Sequence, residues 1–249
     1  MRVRTFAHLL FESLQVGSGV RRIREASMWS WSKKAPDVSA DVRETFFGDV
    51  PLSTWAAGKD AEPWTAFAAA ESALQRGDRS ESARVLQSII QRTGLESRHY
   101  LQAWNVLRQL GHAVPSEDAK HVYGVVVDVP MKSGFDTLAA YEDRSARYVN
   151  FSGAAIIWDA PDSRMDDQIR TLLSAGQRLA MLIGPWKERR PPLTPRQARI
   201  SLLTPSGLHF GQGPFEAFAR DLTAAPVIAA ATSVMQSLIK LTDAQHGTA

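Results

Sequence analysis

Three stretches of this chain carry residues whose types and spacing can do chemistry. The first is TPSGLHFGQGPFEAF, Thr204 to Phe218, which sets His209, Gln212 and Glu216 among three glycines. A histidine exchanges protons near neutral pH, and a helix start offers unpaired N–H groups to an anion. Proline second and glycine last in Thr204–Gly207 suit a tight turn, and Pro214 suits a first helical position. Turn chemistry accounts for Gly207 but not for Gly211 or Gln212. The pair is therefore expected to border a functional surface, with His209 facing it. The competing reading makes His209 an ordinary strand side chain and Glu216 a capping acid.

The second is Asp128, alone in the apolar run VVVDVP. A charge inside a valine-rich strand needs a partner, an edge or water. It is read either as a pocket carboxylate with a displaced pKa or as half of an ion pair, with Arg144 or Arg147 as partner. The third is GPWKERRPPLTPRQ, Gly184 to Gln197, in which Trp186 stands among Lys187, Arg189, Arg190 and Arg196. Its prolines stiffen the loop, so Trp186, Arg189 and Arg190 are read as a contact patch, against an ordinary solvated loop with Trp186 folded inward.

Stronger catalytic signatures are missing. The phosphate loop G-x-x-x-x-G-K-[ST], H-E-x-x-H and G-x-S-x-G do not occur, and Gly207, Gly211 and Gly213 do not match G-x-G-x-x-G. The six histidines are scattered, and with no cysteine the chain has neither disulfides nor thiolate ligands. Neither a cofactor nor a metal is expected.

Composition is that of a globular protein, 44% apolar and 22% charged over 249 residues. The net charge of +3 is concentrated in residues 1–27, where five arginines meet two acids. The remaining charges cancel, so no nucleic-acid partner is expected. The interrupted apolar run of that leader suits a secretory signal poorly, though its arginine content mimics a transit peptide. Residues 1–35 are read as a disordered or frayed leader, with Met28 as the effective start. Leu222 to Ile239 lacks charge, but Val227, Ile228, Ala231, Val234, Met235 and Leu238 form a one-sided stripe. That predicts a packed terminal helix, not a membrane span.

The elements that must hold these residues follow from periodicity. Residues 36–62 are irregular, pinned by Phe46, Phe47 and Trp55. A helix begins after Pro63 with Trp64, Phe67, Ala70 and Leu74 on one side. A second, capped by Ser80, carries Ala83, Leu86 and Ile90 and closes at Gly94. A third, from about Glu96 to Gly111, carries Leu101, Trp104, Leu107 and Leu110. Through Leu74, the Arg76-Gly77-Asp78 turn, Ala83 and Leu86, residues 64–110 resemble a tetratricopeptide-type helical hairpin. That resemblance implies a helix-hairpin unit of the kind used for protein contacts.

Beyond Pro115 the period becomes two. Strands are expected at 121–130, 137–141, 147–151, 154–159, 178–184 and 198–204, with a short return at 208–210. A helix capped by Asp162 or Ser163 and ended by Gly176 interrupts them. The chain is thus expected to be α+β: a leader (1–35), an irregular and helical region (36–114), and a domain (115–249) with an antiparallel sheet of six or seven strands and helices on one face. The favoured function is a cytoplasmic, non-catalytic interaction or regulatory protein whose partner is another protein. The alternative is a small-molecule binder or enzyme using His209, Gln212, Glu216 and Asp128. Oligomeric state is left open.

Overall fold

The computed structural model describes residues 42–56 and 60–246 of the chain, so the leader lies outside the described residues. The N-terminal part is helical: α1 (Leu52–Ala56), α2 (Trp64–Gln75), α3 (Arg79–Ile90) and α4 (Ser97–Gln109). Asp78, rather than Ser80, caps α3: its side chain accepts a hydrogen bond from the Glu81 amide at 2.9 Å. Glu96 and His99 close a reciprocal cap at the start of α4. Gly77 and Gly111 sit at φ 80° and 90°, a left-handed conformation that ends a helix without a Cβ penalty. Phe67, Ala70, Leu86, Ile89, Ala103 and Leu107 form this unit's core. Ile89 is fully buried where the expected stripe had Ile90, which is half-buried.

The sheet has six strands, all antiparallel: β1 (Gly124–Pro130), β2 (Phe135–Tyr141), β3 (Ala146–Val149), β4 (Ala155–Trp158), β5 (Ala198–Thr204) and β6 (Gly207–Gly213). Their order is β4-β3-β2-β1-β5-β6. The valine run of β1 reads as continuous because the strand is central and covered on both faces. Val125, Val127, Leu138, Ile200 and Leu202 point to one face, beneath α5 (Asp166–Leu182) and α7 (Ala225–His246). Val126, Ala139, Tyr141 and Leu203 point to the other, where Phe46, Phe47 and Leu101 of α4 cover them. Each valine, leucine, isoleucine or phenylalanine among them contributes about 1.5–3 kcal/mol on full burial.

The segment RLAMLIG departs from expectation. It is not a strand, because α5 runs on through Gly176 to Leu182. A Cβ built on Gly176 would lie 2.6 Å from Val125 Cγ2 and 3.2 Å from Leu202 Cδ2. The glycine therefore brings the helix close to β1 and β5 instead of ending it. The sheet keeps six strands because the return after Gly207 extends through Gly213. A short helix, α6 (Phe215–Arg220), precedes α7. Helix α7 is long and apolar enough to cross a membrane, and the stripe from Val227 to Leu238 packs into the core with α5.

Candidate functional site

The residues singled out in the sequence do not meet. Alternate residues of a strand face opposite sides, and β6 puts His209 and Gly211 on the α5–α7 side and Gln212 on the other. His209 is fully buried. Its Nδ1 lies 3.1 Å from the Ile183 carbonyl and its Nε2 3.0 Å from Ser206 Oγ, so both nitrogens are occupied. Burial lowers its pKa and favours the neutral ring. A Cβ at Gly211 would meet only the Phe218 ring at 3.5 Å, which is ordinary contact, so no close approach demands this glycine. Glu216 is exposed in the first turn of α6, a helix of only six residues.

On the opposite face, register aligns Thr137, Asp128, Arg199 and Gln212 in one row across β2, β1, β5 and β6. Asp128 does not pair with Arg144 or Arg147, which bind Asp166 and Asp159. Thr137 donates its hydroxyl to Asp128 Oδ1 at 2.7 Å and accepts from Arg43 Nε at 3.0 Å. Asp128 Oδ2 is buried without a hydrogen-bond partner. Desolvation pushes the Asp128 pKa up to about 6, against the pull of Thr137, Arg199 and Arg43. Arg199 is itself buried, donating to Gln212 Oε1 at 2.9 and 2.5 Å and to the carbonyls of Pro191 and Pro192 at 2.9 and 2.7 Å. Gln212 is therefore an acceptor for a buried guanidinium. No cavity opens onto this row among the best-formed concavities of the described residues.

The proline-rich loop is anchored by the same face. Arg190 pairs with Glu44 and Asp49 and stacks 3.7 Å above the Phe47 ring. Trp186 packs edge-on against Phe210 at 5.2 Å, and its amide donates to the Leu208 carbonyl at 2.7 Å. Both side chains are used within the fold, although Trp186 stays partly exposed; Arg189 is exposed.

A groove of about 530 Å³ lies elsewhere, between the start of α4, residues 42–46 and the β3–β4 edge. That volume falls in the range of ordinary ligand and peptide sites. Phe46, Leu95, Val149 and Ile157 give it apolar walls, and Glu96, Arg98, Asp143, Ser145, Arg147 and Asp159 supply polarity. Asp143 joins its two sides, accepting from the Ser97 amide at 2.7 Å and the Ser145 amide at 2.9 Å. Arg147 donates to the carbonyls of Ala146 and Trp158 at 3.0 and 2.8 Å, and to Asp159 at 2.5 Å. Ser145 Oγ is buried at the groove with no partner. Across β4 a second hollow of about 120 Å³ is lined by Ile156, Trp158, Pro161 and Leu238, and Trp158 Nε1 is likewise unpartnered.

Strand β4 runs between the two hollows at the end of the sheet. Among the described residues no strand pairs with its outer side, and Ile157 is 65% exposed. The groove has no histidine, cysteine or lysine in its lining, and its arginines are held by carboxylates and carbonyls. Among the described residues, no hydroxyl of this lining is hydrogen-bonded to a histidine. No protein-family model matches the chain, and no curated protein or solved structure is similar to it. Sequence reading passed over this groove, apart from naming Arg147 as a partner for Asp128. The available signal was the adjacent pair Ile156-Ile157: neighbours in a strand face opposite sides, so a strand at a sheet edge leaves one of them outward.

Proposed function

We propose that this protein is a non-catalytic interaction protein, and that a segment of a partner protein docks in the groove beside β4. The supporting observation is the edge of β4, unpaired among the described residues, with an exposed isoleucine, flanking a half-apolar groove. Exposed edges of this kind are ordinarily blunted by charge, proline or a covering element, because they pair with other chains. An extended peptide added to such an edge gains main-chain hydrogen bonds, and its alternate side chains enter the pockets beside the strand. The helical unit contributes one wall through Leu95, Glu96 and Arg98, which suits the contact role that its tetratricopeptide-like pattern implies. The placement of His209 and Asp128 on opposite faces of the sheet argues for binding at the groove over catalysis between them. The lack of cysteine fits a reducing compartment, and cytoplasmic location is part of the same proposal.

A photo-crosslinking residue at Ile157 tests this reading. The expected result is one dominant protein adduct, absent when the same group replaces the exposed Leu222. Equal adduct patterns at both positions would refute it.

A further inference from the structure

We infer that the segment received along β4 is basic as well as extended, alternating cationic and apolar residues. The inference rests on the proposed docking role and concerns what the partner must present. The groove holds the acids Glu96, Asp143 and Asp159 against the bases Arg98 and Arg147. What solvent meets is more one-sided than that balance. The Asp159 side chain is 72% exposed and that of Glu96 43%, while Arg147 and Arg98 are at 10% and 18%. The arginines lie inward, Arg147 against two carbonyls and Arg98 near the Tyr141 ring at 5.9 Å. They fix the carboxylates at the rim, and an arriving chain meets negative charge first.

Strand periodicity sets the spacing. A peptide paired to β4 places every second side chain on the groove side. Those side chains meet the apolar walls of Phe46, Val149 and Ile157, with Asp159 and Glu96 at the margins. Lysine or arginine suits this place because its stem lies along apolar surface while its charge reaches the rim. An acidic segment would face Asp159 and Glu96 as like charges, and a helix could not use the strand edge.

The experiment uses the full-length protein and three fluorescent seven-residue probes read by anisotropy at low salt. One alternates lysine with valine, one alternates glutamate with valine, and one carries proline in place of the central valine of the lysine peptide. The lysine probe should bind at least fivefold tighter than the glutamate probe, with the preference shrinking as salt screens the rim. Proline should weaken it about tenfold by removing a ladder donor and its strand geometry. Asp159→Asn should narrow the lysine preference. Ile157→Lys, a change at an exposed position with the melting temperature as a check on folding, should weaken the lysine probe about tenfold. If the glutamate probe binds as tightly as the lysine probe and Ile157→Lys weakens both, the groove docks peptides and the inferred basic partner is wrong. If no probe shows binding sensitive to Ile157→Lys, the docking reading and this inference both fall.

Discussion

Replacing Asp128 with asparagine should change how stability depends on pH. The carboxyl is buried in the middle of the sheet, and its pKa stands at about 6 against an ordinary 3.8. A folded pKa above the unfolded value means that the folded state holds the proton more tightly. The contribution is fully present below about pH 4 and is lost as pH rises through about 6. Two pH units at 1.36 kcal/mol each make this loss about 3 kcal/mol. Asparagine keeps an oxygen to accept the Thr137 hydroxyl bond but carries no proton to lose. The pull of Arg199 and Arg43 on the ionised carboxylate is already contained in that pKa, so it adds no separate contribution. The quantity to measure is therefore a difference of differences. Urea unfolding followed by tryptophan fluorescence gives stability for both proteins at pH 4, 5, 6 and 7.5. Relative to the native protein, the variant should gain about 2.5 kcal/mol between pH 4 and pH 7.5, since part of the loss falls below pH 4. Parallel curves, or a shift of opposite sign, would show that Asp128 is not the desolvated carboxyl described here.

Other outcomes follow from packing and hydrogen bonding. Gly176→Ala should cost about 1–3 kcal/mol, visible as a lower urea midpoint, because the added Cβ collides with Val125 Cγ2. Leu238→Ala should cost about 2–5 kcal/mol, since this α7 side chain is buried in the main core. Gln212→Ala should destabilise by about 1–3 kcal/mol by leaving buried Arg199 N–H groups without their acceptor; peptide binding at β4 should be unchanged. His209 has a folded pKa below its ordinary 6.5, so its contribution is present above that value and lost as pH falls through the folded pKa. Comparing urea midpoints of His209→Gln and the native protein at pH 7.5 and 5.5 should show a shallower acid loss in the variant.

Much of the fold was legible because its strands and helices differ in period. The valines of β1, the meander through β4, and the stripes of α2, α3 and α7 all announce their elements through burial patterns local in sequence. The run 178–184 misled because LAMLI is apolar enough for either a strand or a helix. Gly176 then looked like a stop signal, although its reason lies in side chains of β1 and β5 about 51 and 26 residues away. The groove was illegible for a related reason. Phe46, Glu96, Ser145 and Asp159 are individually ordinary, and only the folded chain sets them around one space. Asp128 was conspicuous as a charge among valines, yet Arg199 was hidden inside ARISLLT, where a buried arginine leaves no mark on a strand's period.

The bonds from Arg190 to Glu44 and Asp49 join parts of the chain 146 and 141 residues apart. They bear on the order in which the molecule can assemble. The helices between residues 52 and 110 have a core of their own, made mostly of contacts close in sequence, and such contacts form early. Arg43 and Phe46, although synthesised before those helices, have nowhere to settle until β1 and β2 exist. Arg190 arrives later still. During synthesis, therefore, residues 42–47 are made before these helices but are fastened only once β1 and β2 have followed. A chain ended just after residue 123, before β1, should hold compact helices while the Phe46–Phe47 stretch remains open to protease.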